Sequence, residues 1–198
     1  MSEGVNMKKG KLIALAGLDG AGKSSQIKKI KDYFEAKGYK VKIQQHFNLP
    51  IGIKCEEILK ESKNAYIRAL VFALDEYAQK LDNEKDAEYD IILCDRSHYC
   101  AYAYSGAQGV AVEWIKEIYK YSQKYDLCIY LDISTDKSYL QKEFDDVSPN
   151  LSETQFTQVR ELYLDLVKNG EIIRVNGDQC FEKVTEDICS IIYEALKR

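Results

Sequence analysis

The chain has 198 residues, 45% of them apolar, and a formal net charge of −4. That size suits one domain with a real core, and excludes a miniature scaffold that depends on staples. The charged residues, 30% of the chain, are of mixed sign and lack the basic excess that makes a nucleic acid the default partner. Of the 28 basic residues only five are arginines (Arg68, Arg96, Arg160, Arg174 and Arg198) and 23 are lysines, so planar bidentate grips on anions are scarce. The six cysteines contain no C-x-x-C pair and are joined by only two histidines. This indicates neither a zinc site nor a disulfide framework and points to a reducing compartment. The apolar runs are too short to span a membrane, and no signal-peptide pattern opens the chain. The sequence reads as that of a soluble, cytoplasmic protein.

Short apolar runs suited to buried parallel strands fall at 11–16, 40–44, 90–94, 127–131 and 171–175. Helix-patterned segments alternate with them, over roughly 23–37, 51–61, 64–86, 97–105, 110–124, 134–143, 152–169 and 180–197. Gly38 would stop the first of these, and Ser134 and Ser152 would cap two later ones. The pattern predicts an α/β fold of three layers, a parallel sheet with helices on both faces, in a single domain over 1–198. In such sheets ligands bind beyond the carboxyl ends of the strands.

Directly after the first strand run comes Gly17-Leu18-Asp19-Gly20-Ala21-Gly22-Lys23-Ser24-Ser25, a match to G-x-x-x-x-G-K-[ST]. The glycines let backbone N–H groups close around phosphate at a helix N-terminus, whose dipole favours the anion. Lys23 would reach the β- and γ-phosphates and the Ser24 hydroxyl would ligate Mg²⁺. The third run ends in Asp95-Arg96, where Asp95 would hold Mg²⁺ through water and Arg96 would grip a second phosphate. Asp132, after the fourth run, is a rival for the metal, better read as a helix-capping acid beside Ser134. The chain has no N-K-x-D guanine reader and no D-x-x-G switch after the second or third strand, which disfavours a GTPase. A small-molecule kinase suits this length.

The segments Gly17–Ser25, Phe72–Asp75, Asp95–Gly106 and Leu131–Ile133 together resemble the thymidylate kinases, P-loop nucleoside monophosphate kinases that convert dTMP to dTDP. The run D-R-S-H-Y-C-A-Y-A-Y-S-G is similar to that family's D-R-Y-x-x-S-x-x-A-Y-Q-G. The resemblance implies a five-stranded sheet of order 2-3-1-4-5, ATP with Mg²⁺, a small nucleotide acceptor, a lid around 143–153 and a homodimer. It also implies that Asp19 lies beside the sugar 3′-hydroxyl and the transferring phosphate, that Arg96 binds the acceptor phosphate, that Phe72 stacks on the base, and that Tyr104 lies against the sugar and favours deoxyribose. Helical spacing puts Arg68 and Glu76 on the same face as Phe72.

Several residues depart from the family pattern. Glu76 stands where the family has an arginine that reads the base. A carboxylate there suits a ligand offering an amine or N–H donor, so a cytosine-like, modified-pyrimidine or non-nucleotide acceptor would compete with dTMP, unless Glu76 instead pairs with Lys80. Gln44 to Asn48 replace a phosphate-binding R-E-P-G-G, Ser105 replaces a glutamine, and neither the 143–153 region nor Gly20 and Ala21 supply a transfer-site arginine. Lys137, Lys142 and Arg160 are the candidate substitutes, Arg160 the best placed of them. Two other readings stay open: a deoxynucleoside kinase, whose E-R-S the D-R-S triplet resembles although no carboxylate follows the second strand, and a nucleotide-binding protein that has lost transfer.

Overall fold

The computed structural model describes residues 10–85, 88–136, 138, 149 and 151–197. At its centre β1 (Lys11–Gly17) pairs in parallel with β3 (Ile91–Asp95) on one side and β4 (Leu127–Asp132) on the other, with β2 (Val41–Gln45) and β5 (Ile173–Asn176) at the edges. The order is β2-β3-β1-β4-β5, as the resemblance implied. The middle strands are covered on both faces, so β4 buries every residue, whereas on edge strand β5 only Val175 is buried.

The pleat sorts the core into two layers. Leu12, Ala14 and Ala16 point to one face and pack with α4 (His98–Gly106) and α6 (Glu153–Lys168). Ile13 and Leu15 point to the other and pack with α1 (Lys23–Glu35) and α7 (Phe181–Leu196). Three more helices, α2 (Pro50–Glu61), α3 (Ala65–Asn83) and α5 (Val112–Tyr119), gather beside α4 around Ala73, Ile115 and Tyr119 and around Cys55, Leu59 and Val71. Among the described residues no helix is long and apolar enough to cross a membrane.

The end signals at Gly38 and Ser152 work as their chemistry predicts. Gly38 turns into the left-handed region at φ 87°, and its N–H reaches the Glu35 carbonyl at 2.9 Å. Ser152 and Gln155 cap each other's backbone in a capping box at the start of α6. Two helices are shorter than the periodicity predicts. α3 stops at Asn83, where Asp82 and Asn83 are tied to Lys42 at 2.8 and 3.3 Å, and α5 occupies only the middle of 110–124. Most of the expected helix at 134–143, with Lys137 and Lys142, lies outside the described residues. So do 143–148 and 150 of the expected lid.

α3 carries its polarity inverted. Arg68, Asp75, Glu76, Gln79 and Asn83 are buried, while Ile67, Leu70, Leu74 and Leu81 are between 43% and 58% exposed. The inward side chains form a polar chain behind β2: Gln79 donates to Asp75 at 2.7 Å and to the Gln45 carbonyl at 3.1 Å, and Asn83 donates to Gln44 and to Gln123. Buried polar groups hold their place only when paired in this way.

Asp132 does not cap a helix. It is 2% exposed and accepts from Arg160 Nε at 2.8 Å, Arg174 Nε at 2.7 Å and the Tyr130 hydroxyl at 3.0 Å. The Ser134 amide is taken by Asp178 instead, at 2.9 Å. These hydrogen bonds outweigh burial and hold the Asp132 carboxyl below its usual pKa. A carboxylate held low contributes stability above its unfolded value that is lost as the pH falls through the lower folded one. Asp132→Ala should therefore cost about 1–2 kcal/mol in chemical denaturation near neutrality, because the Tyr130 hydroxyl and two partly exposed arginines lose their acceptor. Asp132→Asn should flatten the acid limb of the stability curve, and an unchanged limb would refute the role of this carboxylate.

Candidate active site

The register of the sheet assembles the site. Leu15 lies opposite Asp95, and Gly17 opposite Leu131, so the loop after β1 and the residues ending β3 emerge at one edge. Gly17 is at φ 155°, and a Cβ there would stand 2.8 Å from the Leu131 carbonyl oxygen. Gly20 and Gly22 are left-handed at φ 79°, a conformation that costs a side-chain-bearing residue about 1 kcal/mol. Lys23 folds back over the loop, its Nζ donating to the carbonyls of Leu18 at 2.8 Å and Gly17 at 3.2 Å. Burial, and then the nearby Arg96 guanidinium, push its pKa down to about 8. Ser24 Oγ donates to Asp95 Oδ2 at 2.7 Å. This hydroxyl and carboxylate are the hard-oxygen donors that Mg²⁺ takes together with phosphate and water.

Arg96 is held from three directions. Its backbone is at φ 84°, a strained position for a residue with a side chain, and its N–H still reaches the Leu15 carbonyl at 3.0 Å. Its guanidinium pairs with Asp19 and lies 5.6 Å over the Tyr104 ring. Tyr104 in turn accepts from the Asp19 amide at 2.9 Å. Asp19, Arg96 and Tyr104 thus form one unit above the phosphate loop, and each lines a cavity of about 610 Å³ that opens there.

The far walls of the cavity come from α2, α3 and α4, and Phe72, Glu76 and Arg68 all line it, as their shared helix face predicts. Phe72 stands edge-on to His46 at 5.3 Å and tilted to Phe47 at 5.3 Å. Glu76 does not pair with Lys80, which donates to the Tyr121 carbonyl at 2.7 Å. It is 1% exposed and lies 3.3 Å from His98 Nδ1. Arg68 is buried, and one of its nitrogens is 3.4 Å from the Leu59 carbonyl. The arginine expected to come from α6 is not available in this arrangement, since both ends of the Arg160 head lie on Asp132.

Sequence reasoning left His46 and His98 without roles. Each pairs with one of two successive acids of α3, His46 with Asp75 at 2.6 Å and His98 with Glu76. Asp75 also accepts from the Phe47 amide at 3.2 Å, which pins Phe47 at φ 65°. The available signal was two adjacent carboxylates on a helix facing the sheet, each of which needs a partner when buried.

The thymidylate kinase family model matches residues 15–188. A protein of Staphylothermus marinus described as a probable thymidylate kinase is 34% identical over 196 residues, covering 94% of this chain and 96% of its own. Proteins with the same description from Methanosphaera stadtmanae and Pyrococcus horikoshii are 32% and 30% identical, each covering at least 93% of this chain and 98% of its own. The matched stretch runs from the end of β1 into α7 and takes in the other four strands and the phosphate loop, so the chain belongs to the thymidylate kinase family.

Proposed function

We propose that the protein transfers the γ-phosphoryl group of ATP to dTMP, giving dTDP and ADP. The observation that carries this reading is the Asp19–Arg96–Tyr104 unit, which stands between the phosphate loop and the 610 Å³ cavity. A donor held by Gly17, Gly20, Ala21, Gly22, Lys23, Ser24 and Ser25 and an acceptor in the cavity would both reach Arg96. An oxygen of the acceptor phosphate attacks the γ-phosphorus, the bond to the β,γ-bridging oxygen breaks, and ADP leaves. Lys23 and Arg96 supply fixed positive charge where the equatorial oxygens gather negative charge. Mg²⁺ fits Ser24 and Asp95 and, when bound, would neutralise phosphate charge.

Phe72 would stack on the base, and Tyr104, which lines the same cavity, would lie against the sugar and favour deoxyribose. Asp19, paired with Arg96 at the cavity mouth, would lie beside the sugar 3′-hydroxyl and the transferring phosphate. The family match and the full-length relatives favour a monophosphate acceptor over the deoxynucleoside and non-catalytic readings. A reducing cytoplasm suits six free cysteines, five of them buried. The exposed stripe Ile67, Leu70, Leu74 and Leu81 on α3 supports a homodimer, since a second copy would cover apolar surface that a monomer leaves wet.

Coupled ADP release over a panel of monophosphates tests the activity, and no turnover with dTMP would refute it. Arg96→Lys keeps the charge without the fork and should lose much of kcat/KM, while Arg96→Ala should lose about 10³-fold or more. Lys23 is charged below its pKa of about 8 and neutral above it. KM for ATP should therefore climb as the pH rises through that value, and a flat KM across it would refute the contact of Lys23 with the phosphates. Leu74→Glu should convert a dimer to a monomer in sedimentation velocity.

A further inference from the structure

We propose that Glu76, oriented by His98, reads the acceptor base by accepting a hydrogen bond from its ring N3–H. The inference rests on the dTMP reading and names the group that recognises the base. Glu76 lines the cavity one helical turn beyond Phe72, so a base lying against the Phe72 ring would turn its edge toward the carboxylate. A carboxylate has two oxygens and can only accept. His98 Nδ1 occupies Oε1 at 3.3 Å, and among the described residues nothing donates to Oε2.

The surroundings fix this geometry. The His98 ring is packed between Tyr99, Tyr102, Tyr119 and Tyr125 at centroid distances of 4.4 to 5.9 Å, which leaves the imidazole little freedom to turn from Glu76. Burial first, and the Glu76 charge after it, hold the Tyr119 hydroxyl far above its ordinary pKa. Tyr119 lines the same cavity and stays a neutral neighbour, so among the described residues Glu76 is the negative group at this wall. Among the described residues the other anions that line the cavity are Asp19, paired with Arg96, and Glu56, paired with Lys60 at 2.9 Å. A base that presents N–H to Glu76 gains a charge-assisted hydrogen bond in a desolvated pocket. A base that presents only a carbonyl or an alkyl group there leaves the carboxylate unpaired.

The test uses the unmodified protein with dTMP and its N3-methyl derivative, measured both by binding, as the shift in melting temperature, and by turnover. The methylated nucleotide should bind and turn over at least about tenfold more poorly, mostly through KM, because the contact is made equally in the ground and transition states. In Glu76→Ala the two nucleotides should come within a few-fold of each other. His98→Asn should raise KM for dTMP with kcat kept, and should add nothing in the Glu76→Ala background. Equal binding of the two nucleotides overturns the assignment of Glu76 and leaves the kinase reading standing. Discrimination in binding without ADP formation overturns the kinase reading alone, and no binding of either nucleotide overturns both.

Discussion

Asp75 and Glu76 follow one another on α3 and both are buried, and the acceptor side of the molecule is arranged around their pairing. Two uncompensated carboxylates in one helical turn would cost several kcal/mol each. Asp75 is met by His46, Gln79 and the Phe47 amide, which fixes the turn leaving β2, and Glu76 is met by His98 at the head of α4. The same pairing sets the rotation of the helix. With its acids, Arg68, Gln79 and Asn83 turned inward, α3 must leave Ile67, Leu70, Leu74 and Leu81 outside. One requirement thus shapes the cavity wall and leaves an apolar stripe on the outer face of α3.

The donor side depends on a different device, the crowding of positive charge onto a rigid edge. Parallel register brings the loop after β1 beside the end of β3, and Asp19 then joins the two through Arg96. Lys23 has lost part of its hold on a proton to burial and to Arg96. The backbone of Arg96 is strained, which is tolerated because a ladder hydrogen bond, an ion pair and an aromatic face all determine its position. Such preorganisation suits phosphoryl transfer, in which positioning and charge do most of the work.

The scarcity of arginine takes on meaning once the side chains are placed. Arg160 and Arg174 are both committed to Asp132 at the end of β4, Arg96 pairs with Asp19 of the phosphate loop, and Arg68 is buried in the wall of the cavity. The two arginines on Asp132 serve the sheet edge. Arg68 and Arg96 are the guanidinium groups that an acceptor in the cavity would meet.

The sequence by itself determined the α/β class, the phosphate loop and the Asp95–Arg96 edge, because each is encoded within a few consecutive residues whose local geometry follows from glycine, charge and apolar run. It also placed Arg68, Phe72 and Glu76 on one face, which 3.6-residue periodicity suffices to do. Only the tertiary structure decided which way that face turns. A helical stripe of Ile67, Leu70, Leu74 and Leu81 argues for the opposite orientation when read alone, and it is overruled by partners 20 to 40 residues away, His46, Gln44, His98 and Gln123. The fates of Asp132 and Arg160 were settled in the same way, by an ion pair spanning 28 residues. Local pattern specifies what a segment can become, whereas the cost of burying an unpaired charge, which depends on residues far along the chain, specifies how it is finally set.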